Sequence, residues 1–143
     1  MECREVSLIL LDTHILVWLM QGVERISEKK KDIIRGAGKS GNLRIAAITP
    51  WEVAMLVSKS RLVLPMDVGE WITAAVKQFG ISVIPLSPAI AVASNRLPGD
   101  FHSDPADQMI VASTRHLNAL LITEDRLILS YAEQGHVRAT SSK

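Results

Sequence analysis

The sequence predicts an α/β fold with a parallel central sheet. Two observations carry this. Short, fully apolar runs alternate with segments of helical length, as in a sheet buried on both faces by its crossover helices. Acidic residues then fall just past the ends of those runs, where open parallel sheets bind ligands.

The elements follow in order. Leu8–Leu11 reads as the first strand, and Leu43–Ile48, Ile81–Ile84 and Ala119–Ile122 read the same way, with a weaker fifth at His136–Thr140. Helices are expected over His14–Met20, Glu28–Gly36, Pro50–Lys59, Val68–Phe79, Pro88–Arg96 and Pro105–Leu117, and a short one over Arg126–Ser130. Thr49-Pro50-Trp51-Glu52 and Asp104-Pro105-Ala106-Asp107 each combine a capping side chain, Pro at the first helical position and an acid two residues later; Ser87-Pro88 repeats the first two features. These are favoured helix openings. Gly36–Gly41 and Arg96–Ser103 read as the long loops.

Composition bounds the class. The 143 residues are 48% apolar and 22% charged, enough for one domain with a core of its own and too apolar for a disordered chain. Residues 1–143 are read as that single domain. A lone cysteine, Cys3, excludes a disulfide framework and suits a reducing compartment. The longest apolar run, Ile15–Met20, is too short for a bilayer. Arg4 ahead of Leu8–Leu11 resembles a signal peptide, but Asp12 interrupts the stretch. The expectation is a cytoplasmic protein with no membrane association.

Asp12 directly follows the first strand, Glu52 the second and Asp125 the fourth. Asp107 needs an extra step. The helices Pro88–Arg96 and Pro105–Leu117 must both run away from the carboxyl edge, so Leu97–Asp104 must climb back; eight residues span roughly 26 Å. That places Asp107 on the same edge, with Asp104 beside it. Clustered carboxylates repel one another and take up protons unless a cation joins them. All-oxygen donors without a His or Cys cluster suit Mg²⁺ or Mn²⁺. With these five acids set aside, 16 basic residues face 10 acidic ones, a balance of +6, which suits a polyanionic substrate.

Other readings stand beside these. Glu52 and Asp107 could be capping acids only, Asp104 and Asp125 could be helix caps, and Thr13 and Thr123 could serve local hydrogen bonds. His14, His102, His116 and His136 show no ligand spacing. Trp18, Trp51 and Trp71 lie on apolar helical segments, as core or interface residues do. Arg44, Lys59, Arg61, Arg115 and Arg126 are the basic residues nearest the cleft in sequence. Gly36-Ala37-Gly38-Lys39-Ser40 ends like a phosphate-binding loop, yet the position that loop needs as Gly is Ile33.

Leu10-Leu11-Asp12-Thr13-His14-Ile15-Leu16-Val17-Trp18 resembles the opening of PIN-domain proteins, especially VapC-type toxins. Thr49-Pro50-Trp51-Glu52-Val53-Ala54, His102-Ser103-Asp104-Pro105-Ala106-Asp107-Gln108-Met109-Ile110-Val111-Ala112 and Leu121-Ile122-Thr123-Glu124-Asp125 resemble the later motifs, in order. The resemblance implies a three-layer α/β/α sandwich on a parallel sheet of about five strands. It implies a metal-dependent endoribonuclease, the toxin of a type II toxin–antitoxin pair, with a cognate antitoxin and a homodimer as partners. Asp12, Glu52, Asp107 and Asp125 match the family's acidic quartet, with Asp12, Asp107 and Asp125 as metal ligands. Asp104, Thr13 and Thr123 match accessory positions. Many relatives carry Arg where this chain has Gln108. The expected chemistry is in-line attack by metal-activated water on an RNA phosphodiester, leaving a 5′-phosphate and a 3′-hydroxyl. A catalytically silent RNA- or protein-binding module is the alternative, as is another metal phosphohydrolase or DNA nuclease.

Overall fold

A computed structural model describes residues 8–143; Cys3 and Arg4 lie outside the described residues. The strands are β1 (Ile9–Leu11), β2 (Leu43–Ala46), β3 (Ile81–Ile84), β4 (Leu120–Ile122) and β5 (Ala139–Thr140). All pair in parallel, in the order β3-β2-β1-β4-β5. The chain steps outward from β1 through β2 to β3, then returns to the other side of β1 for β4 and β5. The crevice where that order reverses lies between the carboxyl ends of β1 and β4, the usual ligand position in an open α/β sheet.

Alternation along β1 builds the two outer layers. Ile9 and Leu11 point into one core with Leu43, Ile45, Ile34 and Trp71. Leu10 points into the other with Ile110, Val111, Leu121 and Tyr131. All three β1 residues are buried, as an apolar strand covered on both faces requires. Helices α1 (Thr13–Gln21), α2 (Glu28–Lys39) and α4 (Val68–Phe79) feed the first core. Helices α5 (Pro88–Ala93), α6 (Pro105–His116) and α7 (Arg126–Glu133) feed the second. The result is the expected three-layer sandwich. No helix among the described residues is long and apolar enough to cross a membrane.

Several expected boundaries move. Helix α3 spans Ile48–Ser58, so the second strand stops at Ala46 and Ile48 is helical. Thr49 therefore caps nothing: Ala47 is the cap residue, with αR geometry and no side-chain bond. Helix α5 ends at Ala93 rather than Arg96. Trp71 is buried as a core residue, whereas Trp51 is 56% exposed.

Helix α2 runs to Lys39 instead of breaking at Gly36. The glycines there serve packing. A Cβ on Gly38 would run into the carbonyl oxygen of Phe79, and one on Gly80 (φ +65°) would lie 2.7 Å from the Gly38 carbonyl oxygen. The ends of α2 and α4 thus meet backbone to backbone. Gly36 is exposed and meets nothing within 4 Å. Chemical denaturation should separate the two sites. Gly38→Ala should lose roughly 1–3 kcal/mol through overpacking, while Gly36→Ala should gain about 0.4–1 kcal/mol by narrowing the unfolded ensemble.

Candidate active site

The site is built on the reversal of strand order. Leu11 pairs with Ile122, and the Asp12 N–H continues the ladder to the Ile122 carbonyl at 3.0 Å. Asp12 is then the N-cap of α1, its Oδ1 accepting from the Thr13 N–H at 2.8 Å. Its Oδ2 accepts from the Thr123 hydroxyl at 2.6 Å. Thr123 in turn accepts from the Asp125 N–H at 3.0 Å. One buried hydroxyl therefore joins the ends of β1 and β4, and each Asp12 oxygen keeps a lone pair for another partner.

Asp125 is the N-cap of α7. Its Oδ1 accepts from the Leu127 and Ile128 N–H groups at 2.9 and 3.0 Å. Asp104 is the N-cap of α6, accepting from Ala106 at 3.1 Å, with Pro105 at the first helical position. Both carboxylates thus fill the capping role that sequence allowed. Asp107 does not close a capping box: its Oδ2 lies 3.2 Å from Nε2 of His102. Glu52, in the second turn of α3, is not a capping acid either; its Oε1 accepts from the Thr13 hydroxyl at 2.5 Å. Because that hydroxyl has one proton, the 3.1 Å contact between Thr13 and Thr49 makes Thr49 the donor to Thr13. The relay runs Thr49 to Thr13 to Glu52.

Electrostatics gathers the acids into one field. Burial pushes the Asp12 carboxyl up despite its two hydrogen bonds, and Asp125 adds repulsion. Glu52 is raised by burial and then by Asp12 and Asp104, against the pull of Thr13. Asp107 is pushed up to about 8 by burial and then by Asp104, Asp12, Asp125 and Glu52. No Lys or Arg among the described residues is ion-paired with any of these five. Asp12, Glu52, Asp104 and Asp125 therefore all act on Asp107 through their charge. The tightest grouping among the described residues is His102, Asp107 and Asp125, whose donor atoms lie within 4.8 Å of one another. A hollow of about 260 Å³ opens beside it, lined by Asp12, His14, Trp18, Glu124 and Asp125. Oxygen donors from Asp107 and Asp125, next to the Asp12 carboxylate, are chemistry that fits a hard divalent cation.

Other expectations fail. Arg44 sits at the amino end of β2, bonded to the Gly41 and Leu43 carbonyls. Arg115 lies in the last turn of α6, eight residues beyond Asp107, and bonds the His136 carbonyl. Both were among the basic residues nearest the cleft in sequence; the strand and the helix carry them to the opposite edge. His102, which opens the third motif and was expected near the cleft, does reach the site; Thr49 joins it unannounced. Thr49 was hidden by its likeness to a cap. The signal for His102 was its position two residues before the Asp104-Pro105 helix opening. Glu124, though it lines the hollow beside Asp125, has its Oε1 engaged by the Ser142 N–H and hydroxyl at 2.6 and 2.8 Å.

The Asp107 shift has a definite sign. Its folded-state pKa lies above its unfolded value, so the native state binds the extra proton between about pH 4 and 8. Stability falls as pH rises through that window and the loss is complete above about 8. In EDTA, Asp107→Asn should raise Tm at pH 8 and change it little near pH 4. Adding Mn²⁺ should stabilise the wild type more than the variant. Scanning calorimetry across pH measures both; a Tm difference that does not widen from pH 5 to 8 contradicts the electrostatic reading.

Comparison with known proteins agrees with this fold. The chain is 29% identical over 123 residues to Ribonuclease VapC22 of Mycobacterium tuberculosis (strain ATCC 25618 / H37Rv), covering 86% of this chain and 91% of that protein. VapBC2 from Rickettsia felis, solved bound to a DNA fragment from its promoter, superposes with TM-score 0.65 at 16% identity, over 94% of this chain and 98% of that one. DNA-bound VapBC from Salmonella typhimurium gives 0.63 at 16% identity, over 96% and 100%. FitAcB from Neisseria gonorrhoeae gives 0.62 at 18%, over 94% and 98%. At such identities the structures establish a shared fold. The model of the PIN domain family matches residues 9–134, from the first strand through the last helix, and the chain belongs to that family.

Proposed function

We propose that this chain is a divalent-metal-dependent endoribonuclease, the toxin of a toxin–antitoxin pair acting in the cytoplasm, and that 1–143 works as one catalytic domain. One observation carries the reading: Asp12, Glu52, Asp104, Asp107 and Asp125 share one edge of the sheet with no Lys or Arg paired to them. Family membership and the ribonuclease relative support the substrate class. Relatives solved as VapBC assemblies support a partner protein; a second copy of the chain is the other expected partner.

Asp12, Asp107 and Asp125 would hold Mg²⁺ or Mn²⁺. Such an ion, when bound, supplies Lewis-acid stabilisation of the phosphoryl charge and a lowered pKa for water. The protein supplies the rest. Thr123 and the Thr13 N–H fix the Asp12 carboxylate. Thr13 holds one oxygen of Glu52 and leaves the other to accept a proton from the attacking water. Attack at phosphorus forms the new P–O bond and breaks the bond to the 3′ oxygen, which takes up a proton. The products are a 5′-phosphate and a 3′-hydroxyl. A silent binding module is the weaker reading, because a carboxylate cluster with no catalytic use only costs stability.

The decisive test is cleavage of single-stranded RNA against DNA of matched sequence, in Mg²⁺, Mn²⁺ and EDTA. RNA should be cut only with metal, and Asp12→Asn should lower kcat/KM by roughly 10²–10³. Product ends should be 5′-phosphate. Activity unchanged in Asp12→Asn overturns the enzymatic reading; cyclic-phosphate ends overturn the water attack alone.

A further inference from the structure

The acidic quartet leaves His102 without a role, yet the residue is braced from several sides beside the site. The Gln108 side-chain amide donates to the His102 carbonyl at 3.1 Å. The Asp104 N–H donates to Nδ1 at 3.5 Å. The Phe101 ring lies against the imidazole, 4.4 Å between centroids, and Phe101 in turn packs on the buried Tyr131 at 4.8 Å. Backbone, ring face and one ring nitrogen are all spoken for.

The last of these decides the tautomer. With Nδ1 accepting, a neutral imidazole carries its hydrogen on Nε2. Nε2 is shielded from solvent and has no aligned hydrogen-bond partner among the described residues. It lies 3.2 Å from Oδ2 of Asp107 and within 4.8 Å of a carboxylate oxygen of Asp125. In this tautomer Nε2 carries a hydrogen and is a donor to the carboxylates rather than a ligand. It can hold the carboxylates that ligate a cation.

We propose that His102 is a positioning residue for the metal site: braced by Gln108 and the Asp104 N–H, it presents Nε2–H to Asp107 and holds that carboxylate in place for a divalent cation. The inference rests on the function proposed above. It also gives Gln108 a task. Its neutral amide supports the His102 backbone. Partners one step removed from a metal typically govern its affinity by 10–100-fold, so the effect is measurable without turnover.

Two measurements test it. A long-range ¹H–¹⁵N spectrum of the metal-free protein should show His102 protonated on Nε2 and bare on Nδ1; the opposite tautomer overturns the proposal. Calorimetric titration with Mn²⁺ should show affinity reduced roughly 10–100-fold in His102→Leu and substantially restored in His102→Gln, which keeps a side-chain N–H donor. Gln108→Leu should weaken Mn²⁺ less than His102→Leu does. Thermal melts in EDTA check that each variant is folded. Wild-type Mn²⁺ binding with no loss in folded His102→Leu overturns the positioning role and leaves the nuclease reading intact, as does ¹⁴N coupling to bound Mn²⁺ in pulsed EPR, which would make His102 a ligand. A wild type that binds no Mn²⁺ at millimolar concentration removes the metal site and this inference with it.

Discussion

The reversal of strand order beside β1 is the constraint on which the rest depends. Chain crossovers leave β1 in the centre with β4 as its late-arriving neighbour. Only there do two strand ends diverge, one connection running to each side of the sheet. The Asp12 N–H to Ile122 bond and the Thr123 hydroxyl on Asp12 close that seam. Break the parallel pairing of Leu11 with Ile122 and Asp12, Thr123 and Asp125 no longer share an edge. The topology therefore does chemical work: it gathers residues more than a hundred positions apart without any loop having to reach across.

Three helices begin at this edge, capped by Asp12, Asp104 and Asp125. Each start offers unsatisfied N–H groups and a partial positive charge, worth about 0.3–1 kcal/mol to a nearby anion. That explains how several acids are tolerated together. It does not neutralise them. Asp107 remains pushed up to about 8, because burial and four neighbouring carboxylates outweigh one helix start. The protein holds a charge imbalance that protonation of Asp107 relieves in part below about pH 8 and that a bound cation can relieve in its place.

Much of this was legible from local pattern. β1, β2, β3 and β4 were expected within two residues of where they lie, because a strand buried on both faces leaves a continuous apolar run. Asp104-Pro105 and Ser87-Pro88 opened helices as expected, since caps and Pro at the first position are local devices. What escaped notice was tertiary. Thr49-Pro50 has the same local form, but the Thr49 hydroxyl is spent on Thr13 and the helix starts two residues earlier. Gly36 and Gly38 read as a break, yet packing of Gly38 against Phe79 keeps α2 helical through Lys39. Arg44 and Arg115 were misplaced because distance along the chain says nothing of which end of an element a residue occupies. His102 stood in the third motif without an assigned task; what the sequence did not show is its approach to Asp107 and Asp125.

The side chains that organise the acids share one property, which follows from what the site must do. Thr13, Thr49 and Thr123 are hydroxyls, Gln108 is an amide, and the proposed role of His102 uses a neutral imidazole. A Lys or Arg in any of these places would hold a carboxylate more strongly, since ion-assisted bonds are roughly twice as strong as neutral ones. It would also discharge the field that draws a divalent cation and compete with it for the same oxygens. Neutral donors fix geometry and leave the charge in place. Hydroxyls add a second advantage in a buried setting, because one group can accept and donate at once, as Thr13 and Thr123 both do. The site thus separates two tasks that a salt bridge would merge: neutral side chains set the positions, and the carboxylate oxygens stay free of a competing cation.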